Sequence, residues 1–178
     1  MRHPIFLPVL LFACAVEPES DLPWSAAPAD GANEQIPQYY GGCGDVVMYA
    51  HNSNDTRAVF VHLPNVAQTA HQQGQPLIAT LTLPHPTASV QLQQGARLTS
   101  ATCVGAQPFP GPRVDASLTA TAGTMEVRIT PDPGGSPSSP AATADVRLTG
   151  LEFVTASGRL VTAPDLTLPG VSVGFYPP

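Results

Sequence analysis

GGCGDVVMYAHNSNDTRAVFVHL, residues 41–63, decides how the chain is read. Asn52, Ser53, Asn54 and Asp55 are turn formers whose short polar side chains bond nearby backbone, and β-rich runs flank them, so the stretch predicts a hairpin. A loop of those residues sets His51 opposite Thr56, Tyr49 opposite Ala58, Val47 opposite Phe60 and Asp45 opposite His62. One face then carries Val46, Met48, Val59 and Val61, the other Val47, Tyr49 and Phe60. Strands apolar on both faces lie inside a structure and not at its rim. The preceding Gly41, Gly42 and Gly44 lack the lysine and following helix of a phosphate-binding loop; they are expected in a turn or bulge before the strand.

Outward from the hairpin, composition points the same way. The chain has 178 residues, 43% apolar and 11% charged, enough for one domain with a real core. Its 21 prolines and 15 glycines, among many Thr, Val and Ala, indicate short strands broken by turns. All seven basic residues are Arg and the net charge is −6, which leaves no polybasic patch and excludes nucleic acid as a partner.

The chain begins with an address. Arg2 precedes the apolar run Ile5-Phe6-Leu7-Pro8-Val9-Leu10-Leu11-Phe12-Ala13, too short to span a bilayer, so residues 1–13 read as an export signal. Leu11-Phe12-Ala13-Cys14 resembles the lipobox of bacterial lipoproteins. The resemblance covers the leader alone and implies lipidation of Cys14, which would become the mature N-terminus and anchor the protein to a membrane. Ala13-Cys14-Ala15 also satisfies the small-x-small rule of ordinary secretory cleavage, which would release a secreted protein. Either route is extracytoplasmic, periplasmic or at the cell surface. Residues 14–38 are acidic and rich in Pro and Ala, a composition that makes a tether reaching about 27 Å as a coil. Trp24, the single tryptophan, is expected to dock on the domain.

With Cys14 lipidated or removed, Cys43 and Cys103 remain, and in an oxidising setting a disulfide is their simplest use. The spacing suits neither a metal site nor a reactive two-cysteine motif.

Residues 39–178 read as one all-β domain, a β-sandwich of about nine or ten short antiparallel strands. Residues 66–73 can make a short helix ending at Gly74. Strands are expected at 77–83 and 89–93, then at 97–104 bearing Cys103, and at 118–122 and 124–130. In the last of these Met125, Val127 and Ile129 share one face, and Glu126, Arg128 and Thr130 the other. Val146 and Leu148 lie on even positions but Leu151 and Phe153 on odd ones, which requires a β-bulge near Thr149-Gly150. Strands at 159–163 and 166–175, the latter bent at Pro169-Gly170, close the domain. Two proline-rich stretches, around Phe109 and at 131–140, are expected as exposed loops.

The residues propose no catalyst, metal or cofactor. His51, His62, His71 and His85 fall near Asp45 and Asp55, but the expected register separates His51 from His62 by about 20 Å, and no HxH or HExxH occurs. No Gly-x-Ser-x-Gly elbow is present. The reading that remains is a non-enzymatic binding or structural module meeting a protein or glycan of the cell envelope. Its candidate contact loops are those around His71 and Phe109. The alternative is a barrel carrying a small apolar ligand, which needs a lined interior cavity.

Overall fold

A computed structural model describes residues 39–104, 110–136 and 140–174. They form an all-β single domain of β1 (Tyr39–Cys43), β2 (Val47–His51), β3 (Arg57–His62), β4 (Leu77–Leu83), β5 (Ser89–Ala96), β6 (Arg113–Pro131), β7 (Ala142–Val154), β8 (Leu160–Thr162) and β9 (Leu166–Val173), with α1 (Val66–Gln73) between β3 and β4. The leader, Cys14, the tether with Trp24, and Phe109 lie outside the described residues.

All nine strands belong to one antiparallel sheet that does not close, with β1-β2-β3-β5-β6-β7-β8 in order. β4 and β5 lie end to end along the same side of β6, opposite residues 123–129 and 113–119, with the Pro84-His85-Pro86 break between them. β8 and β9 share one side of β7 in the same way. Where these breaks fall, the long strands are irregular. β6 shifts register twice between Ala120 and Thr124, with Gly123 at φ 133°, and β7 carries an extra residue between Thr149 and Glu152, with Gly150 at φ 59°. The bulge that the parity change required is therefore present, and it re-aims Leu151 and Phe153 into the core.

The aligned irregularities crease the sheet into two layers, β1-β2-β3-β5 with the first half of β6, and β4-β7-β9 with its second half. One core lies between them, joining Met48, Val59, Val61 and Leu92 to Met125, Ile129, Leu148, Phe153 and Leu168. β1 meets β9 at the far side, where Gly174 N–H donates to the Gly44 carbonyl.

Four local expectations are corrected. The hairpin loop slides by one residue: Asn52 N–H donates to the Arg57 carbonyl, and Val47 faces His62, Tyr49 faces Phe60 and His51 faces Ala58. The cause is Asn52, buried and used as a closing bracket, whose Oδ1 accepts the N–H groups of Thr56 (2.9 Å) and Arg57 (3.2 Å). The shift is even, so the faces read from sequence are unchanged. Gly41 and Gly42 stand inside β1 and not before a strand. A Cβ on Gly41 would sit 2.6 Å from the Tyr49 hydroxyl, and one on Gly42 2.7 Å from Val171 Cγ1. The two strands expected at 118–130 are one strand, β6.

Residues 97–104, expected as a strand, form a strap of turns. Leu98 N–H donates to the Asp55 carbonyl, and Thr99 N–H to the Asp55 carboxylate at 3.1 Å. The other end is held by the Cys43–Cys103 disulfide, with Cα atoms 5.3 Å apart. Asp55 sits at the hairpin tip and Cys43 at the far end of β1, so the strap crosses the outer side of the hairpin. Leu98 and Ala58 are buried, yet neither belongs to the central core. That explains why the hairpin is apolar on both faces. The disulfide belongs to an oxidising, extracytoplasmic setting, and no described helix is long and apolar enough to cross a membrane.

Candidate functional site

The four described histidines stand at four separate places in the fold. His51 Nδ1 lies 2.8 Å from the Asn52 carbonyl and 3.7 Å from Asp55, with its ring stacked on Tyr39 at 5.4 Å. His62 is exposed at the other end of β3, about 13 Å along the strand. His71 Nε2 is 2.6 Å from the Ala141 carbonyl, so this ring ties α1 to the start of β7. His85 sits in the break between β4 and β5, its Nδ1 accepting from Thr87 N–H at 3.3 Å. Among the described residues no three metal-ligating side chains come together. The Thr87 hydroxyl also lies 3.3 Å from His85 Nδ1, but that contact is exposed and two residues apart in sequence. Tyr49, half-buried beside Phe60 (ring centroids 6.2 Å), has its phenol pKa raised by burial and, secondarily, by the charge of Asp55.

A concave surface lies elsewhere, on the outer side of β4, β6, β7 and β9. A groove of about 330 Å³ crosses these strands. Strand alternation turns Val127 and Val146 into the core and leaves Glu126, Arg128, Asp145 and Arg147 outward. Register then orders them. Ile78 faces Arg128, which faces Asp145; in the next row Thr80 faces Glu126, which faces Arg147, which faces Thr167. Each arginine thus has a carboxylate directly across the strand pair, a favourable cross-strand arrangement, and the charges form a checkerboard.

At one end Ile78 stands 71% exposed. At the other, Asp145 Oδ1 accepts Gly170 N–H at 2.8 Å and fixes the Pro169-Gly170 bend that borders the groove. No histidine, cysteine or serine is among the lining residues. The arrangement supports binding: an apolar wall, a short floor of backbone and paired charges of both signs.

The sequence had singled out His71 and Phe109 instead. His71 is on α1, away from the groove, and Phe109 lies outside the described residues. A signal for the groove was nonetheless readable. Glu126-Val127-Arg128 and Asp145-Val146-Arg147 repeat the order acid, valine, arginine, and antiparallel pairing of two such runs sets each acid against an arginine. Comparisons with protein families, curated proteins and solved structures find no match to this chain.

Proposed function

We propose that the protein is an exported, envelope-tethered module that binds a protein component of the envelope without catalysis, and that the groove on β4, β6, β7 and β9 is its contact surface. The carrying observation is the checkerboard of Glu126, Arg128, Asp145 and Arg147 beside the exposed Ile78. Matched charges of both signs next to an aliphatic anchor suit a polypeptide carrying both signs of charge. A uniformly charged polymer would meet like charge in every row.

The packing of the interior favours this reading over the carrier of an apolar ligand. Side chains of both layers meet across the core, and at Gly42 and Gly123 a Cβ would fall within 3 Å of Val171 and Leu151. The leader's resemblance to a lipobox supports a membrane anchor at Cys14, with residues 14–38 as the tether.

The test is binding to isolated envelope. Ile78→Asp and the double change Arg128→Glu with Arg147→Glu are expected to reduce it at least tenfold, about 1.4 kcal/mol or more. Binding that survives both changes but is lost on deleting residues 108–112 would move the contact to the segment around Phe109 and reject the groove.

A further inference from the structure

The sheet leaves several edges, and most are guarded. β8 is three residues long, β9 carries Pro169 and Gly170 in its middle, and β1 lies against β9. β4 differs. Its seven residues, LIATLTL, contain no charge, no proline and no bulge, although sheet proteins ordinarily blunt an edge with one of these devices. It pairs with β6 on one side, and among the described residues its other side meets no backbone partner. Leu77, Ala79 and Leu81 point toward the core and pack on it, yet remain only partly buried at this open side.

We propose that β4 is a self-association edge, with two copies of the chain pairing antiparallel, β4 to β4, about a two-fold axis through Thr80. In that register Thr80 faces its own copy, Ile78 faces Thr82, Ala79 faces Leu81 and Leu77 faces Leu83. Inner pairs are apolar on apolar. Outer pairs are β-branched on β-branched, and no charge meets a like charge. An isologous contact demands this self-complementarity, whereas an unrelated partner strand does not. Pro76 and Pro84 bound the strand on both sides, so the register centred on Thr80 is the one that uses every residue between them. The second strand covers the wetted flank of Leu77, Ala79 and Leu81, and it sets the two grooves side by side, since Ile78 and Thr80 line each. The pairing stands on the β4 edge alone and does not depend on what the groove binds.

The experiment uses the mature chain with Cys14→Ala, so that no acyl group intervenes. Sedimentation equilibrium over a micromolar concentration series is expected to show the apparent mass rising about twofold. Thr80→Lys, at an exposed position, sets two ammonium groups against each other on the axis; it is expected to hold the chain at monomer mass, with a melting temperature that no longer depends on concentration and matches that of the wild type at dilutions where the wild type is monomeric. Thr80→Cys is expected to form an intermolecular disulfide on oxidation, because directly opposed residues have Cβ atoms about 5 Å apart. Ile78→Cys, which faces Thr82, is not. A chain that stays monomeric throughout, a dimer indifferent to Thr80→Lys, or cross-linking through position 78 in place of 80 overturns the proposal. So does a chain that dimerises only after residues 14–38 are removed, since that segment would then be the occupant of the edge. Loss of envelope binding with the dimer intact, or the reverse, separates this inference from the binding function.

Discussion

Asp45 caps α1 from the turn between β1 and β2: its Oδ1 accepts the Ala67 N–H at 2.8 Å, across 22 residues of sequence. The helix has no cap of its own, because Asn65 is left-handed and its side chain makes no capping bond. A helix N-terminus leaves N–H groups without intrahelical partners, and here a neighbouring turn satisfies two of them, Ala67 and, at 3.4 Å, Gln68. Asp45→Ala is expected to lower stability by about 1 kcal/mol, read as a reduced urea midpoint at constant slope, with Asp45→Asn keeping part of the effect.

The disulfide closes a loop of 60 residues. Replacing Cys43 and Cys103 by Ala is expected to cost roughly 4 kcal/mol on the chain-entropy model. The strap would then keep Asp55 and the bonds from Arg97 to the Gly111 carbonyl near its start but lose its tie at the Cys103 end, so limited proteolysis should cut within residues 97–104 in the variant and not in the oxidised protein. Equal protection of that segment in both would disprove its dependence on the bond.

Gly42 lies where β1 meets β9, and an added methyl would press on Val171 Cγ1 and the Val47 carbonyl, both under 3 Å away. Gly42→Ala is therefore expected to destabilise the fold by about 1–3 kcal/mol. Gly134, whose Cβ would meet nothing within 4 Å, serves as the control. A thermal melt of Gly42→Ala that matched the wild type would show that the junction of the layers gives way.

Tyr49 links pH to stability. Its phenol pKa is raised above the ordinary 10.0, first by burial and then by Asp55. Below pH about 10 the phenol is neutral in both folded and unfolded chains, so its contribution is constant. Above that, the unfolded chain loses the proton first, and stability falls until pH passes the folded value. Urea midpoints measured from neutral to strongly alkaline pH should show this fall in the wild type and a shallower one in Tyr49→Phe.

Much of the fold was legible in the residues. The all-β class, the hairpin with its two apolar faces, the helix ending at Gly74, the bulge at Gly150 and the Cys43–Cys103 pair each rest on a local rule. Turn chemistry, side-chain parity and cysteine count act within a few residues or by elimination. The reading of Cys14 as a lipidation site rests on a local pattern too, and it is a proposal from the sequence alone.

What the tertiary structure decided is wherever distant groups compete with local preference. Residues 97–104 have strand-like composition, but the Asp55 carboxylate and the disulfide together offer more than a ladder could, and the segment becomes a strap. The glycines at 41 and 42 suggested a turn because only the approach of Tyr49, Val171 and Val173 reveals that side chains would not fit. Alternation marked Glu126 and Arg128 as outward, and Asp145 and Arg147 share the same spacing. Pairing β6 with β7 in one register out of many is what turns two such runs into a checkerboard. The same holds at β4, whose seven uncharged residues read as an ordinary strand until the fold leaves one side of it open. Register and edge position are properties of the assembled sheet, set by which strands bury the most apolar surface together, and no single segment carries them.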